Sequence, residues 1–273
     1  MLIDFHVHTF LDKLAAGAVA SLAARAHFQP FTDGTVAATD ELMRAGGVDR
    51  YVALNIAVSP RTERHVNDYA ISLLGGDGHI VPFGSVHPDS PQALAEIGRL
   101  AAAGVKGVKF HNEYQGFFVD DEKAFPLYEA CAARGMIMLF HGGADRGFSP
   151  PQTVEEGRKV IKTAPSRMRR VAERFPQASI VVAHLGGQDM LADSVRFLAD
   201  TSVYIDTSFA SRTVDPKDGA AVIRAFGADR VLFGTDCPWD TPQSTLAWVE
   251  SLGLSEEEKQ KIYFRNAQRL LGA

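Results

Sequence analysis

The sequence predicts an α/β fold, a closed (β/α)8 (TIM) barrel built as a single domain over residues 1–273. Three observations predict it. Eight short apolar runs rich in β-branched residues recur along the chain. Helical segments alternate with them, the pattern that gives parallel strands joined by crossover helices. The length, 273 residues, suits one such barrel, which takes about 250. An open doubly wound sheet is the alternative, and it usually shows a glycine-rich phosphate loop after its first strand. Here that strand runs into His6-Val7-His8-Thr9-Phe10 instead.

The strand runs are Leu2–His6, Tyr51–Ala57, Ile80–Val86, Val105–Phe110, Met136–Phe140, Ile180–Ala183, Val203–Ile205 and Val231–Phe233. Helical patterns cover Gln92–Ala103, Ala124–Arg134, Arg167–Phe175, Met190–Ala199 and Gly219–Phe226. Asp89-Ser90-Pro91 reads as a cap followed by a first-turn proline. Ser255 and Glu258 have capping-box spacing for a last helix, which ends at Leu270-Leu271-Gly272. Asp12–Thr32 is less regular. It follows the first strand, where a barrel places an active-site loop, and is expected to act as a lid.

Composition narrows the function classes. Hydrophobic residues make up 46% and charged residues 22%, ordinary for a globular domain. A net charge of −5 argues against nucleic-acid and anionic-membrane partners, which call for clustered Lys and Arg. No run approaches the about 18 apolar residues of a membrane span. Cys131 and Cys237 have no paired spacing, so neither a disulfide framework nor a cysteine zinc site is expected. The chain reads as reduced and cytoplasmic, without a signal peptide. The expected partner is a small-molecule substrate, and a homo-oligomer is left open.

Residues two apart on a strand point to one face, so Asp4, His6 and His8 are expected to share one. Two adjacent imidazoles can converge on a cation. His141, His184 and Asp236 each follow a predicted strand, at the rim where barrels assemble active sites. Taken together these residues predict a metal centre with His6, His8, His141 and Asp236 as ligands. Imidazole and carboxylate suit a divalent ion, with zinc favoured, manganese or another ion as alternatives, and one ion per chain over two. Asp236 and His184 are the candidate catalytic residues: Asp236 to accept a water proton, His184 to orient the water or act as general acid or base. Asp4 can hold the outer nitrogen of a ligand histidine or bond backbone instead.

Lys109 and His111 alternate with Val108 and Phe110, so they face the barrel interior and are candidate substrate contacts. A buried ammonium is costly unless compensated. Pairing with a carboxylate, contact with an anionic substrate and carbamylation to bridge two metals all satisfy that demand. Arg146 can clamp a substrate carboxylate or pair with Asp145. Trp239 and Cys237 flank Asp236, and His87 ends the third strand.

The segments Asp4-Phe5-His6-Val7-His8, Gly107–His111, Phe140–Gly143, Ala183–Gly187, Phe233–Pro238 and Asn266–Leu271 together resemble the amidohydrolase superfamily. Within it the resemblance is to the branch of aminocarboxymuconate-semialdehyde decarboxylase-like enzymes. It implies first-strand ligands at His6 and His8, a fifth-strand ligand at His141 and an eighth-strand ligand at Asp236. His184 matches a sixth-strand histidine that serves the reaction in mononuclear members and, with the lysine, a second metal in binuclear ones. The resemblance implies a hydrolase, a decarboxylase or a hydratase acting on carbonyl or carboxylate substrates. The leading expectation is hydrolysis of a small lactone, amide or ester, with decarboxylation or hydration of an aromatic or enol acid as the alternative. A barrel that only binds a metal or ligand is the non-catalytic alternative.

Overall fold

The computed structural model describes residues 1–147, 154–155 and 158–272. Eight parallel strands form the barrel: β1 (Ile3–His8), β2 (Arg50–Leu54), β3 (Ile80–Phe83), β4 (Gly107–Phe110), β5 (Ile137–Phe140), β6 (Ile180–Val182), β7 (Tyr204–Asp206) and β8 (Val231–Leu232). Strands β1-β2-β3 pair in order, as do β4-β5-β6-β7-β8. Two seams join the sets. Gly84 pairs with Val108 at one, and Val7 pairs with Cys237 at the other. Phe5 N–H donates to Phe233 C=O at 2.8 Å, so the ring of strands is closed.

The strand side chains sort into two cores. Ile3, Phe5, Val52, Leu54, Phe83, Ile137, Leu139, Val181 and Leu232 fill the barrel interior. Tyr51, Ala53, Val108, Phe110, Met138, Phe140, Val182 and Ile205 face the surrounding helices. The helix Asn266–Leu271 closes the N-terminal end of the barrel with Ala267 and Leu271. Asn266 anchors it by donating to the carbonyls of Ala228 and Val231, both at 2.7 Å. Apolar packing therefore fills the lower barrel, and polar side chains are displaced to the upper rim.

Several predicted boundaries shift. The second and third strands end at Leu54 and Phe83, short of Ala57 and Val86. Beyond them side chains take over the backbone bonding: Asn55 Nδ2 donates to Phe83 C=O at 3.0 Å, and Ser85 N–H donates to Asn67 Oδ1 at 2.9 Å. The helix expected from Gln92 begins at Ala93, with Ser90 accepting from Gln92 N–H at 3.2 Å. The capping box at Ser255 and Glu258 is present. The irregular segment after β1 contains a fifteen-residue helix, Asp12–Ala26, which lines the cavity with Leu14, Leu22 and Arg25. No helix among the described residues is long and apolar enough to cross a membrane.

Leu139 is fully buried in the inner core, and Leu94 is 52% exposed. Leu139→Ala is expected to lower the unfolding free energy by about 2–5 kcal/mol. Leu94→Ala should change it by less than about 0.5 kcal/mol. Urea titration followed by circular dichroism compares them, and equal midpoints would overturn the assignment of the inner core.

Candidate metal centre

The first strand does not keep strict alternation. Its pairing with β2 slips by one residue between Asp4 and Val7. Ile3 and Phe5 pack inside the barrel, while Leu2 and Val7 pack outside. The slip turns both His6 and His8 toward the cavity above Phe5. Asp4 therefore does not share their face. Its carboxylate accepts from His6 N–H at 3.0 Å, Thr235 N–H at 3.1 Å and Thr235 Oγ1–H at 2.7 Å. Burial pushes this carboxyl up to about 7 despite those bonds. Asp4 ties β1 to the loop after β8, and among the described residues the His6 ring bonds to Asp206 instead.

The residue that holds the His6 ring is Asp206, at the end of β7. Its Oδ2 lies 2.8 Å from His6 Nδ1. Because a carboxylate only accepts, Nδ1 carries the proton and Nε2 presents a lone pair. His8 is fixed in the same sense, its Nδ1 lying 3.2 Å from the Leu54 carbonyl. The two Nε2 atoms stand 3.3 Å apart. Asp236 Oδ1 lies 3.3 Å from each of them. Burial raises the Asp236 carboxyl, yet the neighbouring His8, His6 and His184 outweigh it and hold it below its ordinary value. Burial drives His6 well below the usual imidazole range, and Lys109 pushes the same way. Three electron-pair donors thus converge with no proton between them. That arrangement fits a divalent cation with nitrogen and oxygen ligands.

Lys109 points into the barrel as the alternation requires, fully buried, with Nζ 3.4 Å from His6 Nε2. Burial brings the ammonium down to about 8, while Asp206, Asp236 and Asp145 pull it back up. It makes no direct ion pair among the described residues, so carboxylate pairing is not what holds it.

A second group stands alongside. His184 Nε2 lies 3.1 Å from His141 Nδ1. His111 Nε2 lies 3.0 Å from Asp145 Oδ2, and the His111 ring stacks on His141 at 4.4 Å. Burial lowers both rings well below the usual imidazole range. His141 Nε2 and His111 Nδ1 are buried without a hydrogen-bond partner among the described residues. The four expected ligands therefore divide. His6, His8 and Asp236 bring donor atoms within 4.8 Å of one another, whereas His141 does so with His111 and Asp145.

The backbone holds this arrangement at some cost. His184, Leu185, Phe209 and Asp236 all have positive φ, between 53° and 70°. Such non-glycine conformations cost about 1–3 kcal/mol each and cluster at functional sites. Gly143, at φ +74°, lets the loop after β5 touch the loop after β6: a Cβ there would meet Gln188 backbone at 2.4 Å. Gln188 N–H donates to Gly142 C=O at 2.8 Å, which fixes His141 beside His184.

These residues sit in a cavity of about 680 Å³. Leu14, Leu22 and Arg25 of the helix Asp12–Ala26 line it, as do Val58, Phe209 and Trp239. Arg146 also lines it, but its guanidinium fork is taken by Asp189 at 3.1 and 2.6 Å rather than by Asp145. Cys237 is buried beneath the loop. His87 lies apart from the centre, where its N–H donates to Glu63 at 2.7 Å. Sequence reasoning missed Asp206, although it follows a strand run just as His141, His184 and Asp236 do.

Comparison with known proteins agrees with this architecture. A dihydroorotase from Pseudomonas fluorescens is 32% identical over 90 residues, 33% of this chain and 23% of that protein's length. The structure of 2,6-dihydroxybenzoate decarboxylase from Rhizobium superposes with a TM-score of 0.75 at 17% identity, covering 99% of this chain and 98% of the other. A dihydroxybenzoic acid decarboxylase from Polaromonas sp., solved with bound manganese and an inhibitor, gives 0.72 at 16% identity over 99% and 96% of the two chains. The family model described as amidohydrolase matches residues 3–273. The chain belongs to the amidohydrolase family, on a TIM-barrel fold.

Proposed function

We propose that this protein is a divalent-cation-dependent hydrolase of a small carbonyl compound such as a lactone, amide or ester. The observation that carries the reading is the convergence of His6 Nε2, His8 Nε2 and Asp236 Oδ1 beside His184 at the cavity floor. These three side chains would hold the cation. When bound, it supplies Lewis-acid polarisation of a carbonyl and a water pKa brought down to about 7. Zinc is the favoured ion for this donor set, and the manganese of the Polaromonas enzyme makes manganese the alternative. One ion per chain is the favoured count, supported by the fixed tautomers of His6 and His8 beside Asp236. A second ion would fall to His111, His141 and Asp145.

The chain's own residues divide the work. Asp236, held ionised, accepts the proton of the attacking water at its other carboxylate oxygen. His184 donates Nδ1–H toward Ser208, so its Nε2 is the face that takes or gives a proton. Lys109 and His111 contact the polar end of the substrate. Apolar Leu14, Leu22, Val58 and Trp239 enclose its body and exclude water.

A second reading is a lyase that decarboxylates an aromatic or enol acid. Two observations favour it. The similar solved structures named above are decarboxylases, and Arg25 and Arg146 are among the residues that line the cavity. Arg146 clamps a carboxylate only if it leaves Asp189.

His6→Ala and His8→Ala are each expected to lose the bound ion. Turnover should fall by more than about 100-fold, beyond the effect of disturbing an outer partner of a ligand. Elemental analysis beside a rate assay checks both, and full activity in metal-free protein would end the cation reading. Assaying a library of lactones, amides, esters and aromatic acids separates the two reactions. Hydrolysis is the expected outcome, and carbon dioxide as the released product would transfer the site to the lyase reading. Arg25→Ala should raise KM about 10-fold for an anionic substrate, the weight of one charge-assisted hydrogen bond. It should leave KM for a neutral ester unchanged.

A further inference from the structure

We propose that Asp206 is a positioning residue that sets two histidines at once, turning the Nε2 lone pair of His6 toward His8 and Asp236 and that of His184 toward His141. The proposal rests on the cation-site reading above. Asp206 is fully buried at the end of β7. Its Oδ2 accepts from His6 Nδ1 at 2.8 Å. Its Oδ1 accepts from His184 N–H at 2.9 Å, from Ser208 N–H at 3.1 Å and from the Ser208 hydroxyl. With that proton committed to Asp206, Ser208 Oγ accepts from His184 Nδ1, 2.9 Å away. The Ser208 carbonyl, 3.2 Å from the same nitrogen, supports the same tautomer.

One carboxylate therefore reaches both rings, one directly and one through a hydroxyl. Both oxygens must accept, and among side chains of this size only an ionised Asp accepts on both. Asparagine has the same shape and fails on chemistry, because its single carbonyl oxygen serves one arm only. Three donors gather on the Oδ1 side and one on the Oδ2 side. The amide of an Asp206→Asn variant would then turn its NH2 toward His6 Nδ1. His6 would be forced to accept there and carry its proton on Nε2, where it blocks the lone pair that faces His8 and Asp236.

The test uses full-length protein with 15N-labelled histidine, stripped of metal. Long-range 1H–15N correlation reads each tautomer, with His6→Gln and His184→Gln variants assigning the signals. Zn2+ titration against a chromophoric chelator reads affinity. In the wild type, His6 and His184 are expected to be Nδ1–H. Asp206→Asn should switch His6 to Nε2–H and weaken Zn2+ binding by about 10–100-fold. Ser208→Ala removes only the hydroxyl arm. It should perturb His184 Nδ1 while the His6 tautomer and the Zn2+ affinity hold.

An Asp206→Asn protein with the wild-type His6 tautomer and wild-type affinity overturns the proposal. If that variant does not fold, Ser208→Ala decides it: a perturbed His184 with unchanged His6 supports the two-armed arrangement, and an unchanged His184 defeats it. Wild-type protein that shows both Nδ1–H tautomers but binds no Zn2+ would defeat the cation reading and leave the Asp206 assignment standing.

Discussion

The structure depends on a problem of lone pairs. His6 gives its Nδ1 proton to Asp206 and His8 gives its own to the Leu54 carbonyl. Each ring is left with a bare Nε2, and an ionised carboxylate faces both. In a buried pocket three such acceptors repel one another unless a positive charge sits among them. Lys109 supplies part of that charge from the side, 3.4 Å from His6. Its burial weakens its hold on its proton, so it is a poor substitute for a doubly charged ion. The remaining deficit is what the proposed cation would fill.

That arrangement demands a stiff frame. The barrel meets the demand by separating its two ends. Ile3, Phe5, Leu139 and Leu232 pack the lower interior, and Ala267 and Leu271 seal it. The rim can then tolerate positive φ at His184 and Asp236 and the tight loop contact at Gly143. Hydrogen bonds over-determine each strained residue. Asp236 N–H donates to His6 C=O at 2.8 Å, and Leu185 N–H donates to Asp206 C=O at 2.8 Å. The loops that carry the donors are thus pinned to β1 and β7, the strands that carry or orient the histidines.

The fold was legible because apolar runs and strand-end polar residues obey simple periodicities. Val108 and Phe110 outside with Lys109 inside is the plain alternation of a barrel strand. Where the sequence misled, a local irregularity was responsible. Nothing in Asp4-Phe5-His6 announces a slipped register, yet that slip separates Asp4 from the histidines and opens the place that Asp206 fills. Asp206 was itself within reach, since it ends a strand run, but the run Val203–Ile205 is short and its aspartate carries no motif. The helix Asp12–Ala26 escaped because much of its sequence is alanine, which propagates a helix without marking an apolar face. The division of His141 from the other three donors is a matter of ångströms that strand order does not encode.

The donor cluster and the wall above it come from separate parts of the chain. The donors and their supports come from the ends of β1, β4, β5, β6, β7 and the loop after β8, all locked by backbone hydrogen bonds. One wall of the cavity mouth comes from the helix Asp12–Ala26 and the segment after β2, whose Leu14 and Val58 are 56% and 49% exposed. Apolar side chains left in water at a cavity entrance gain by meeting an apolar ligand, at roughly 25 cal/mol per Å² covered. Arg25 on the same helix adds one positive charge beside that surface. The mouth thus suits a molecule with an apolar body, and under the proposed function its polar end would meet the donors below. Substitutions on the helix can change which molecule enters without disturbing the donors below, because no residue of the helix hydrogen-bonds to His6, His8 or Asp236 among the described residues.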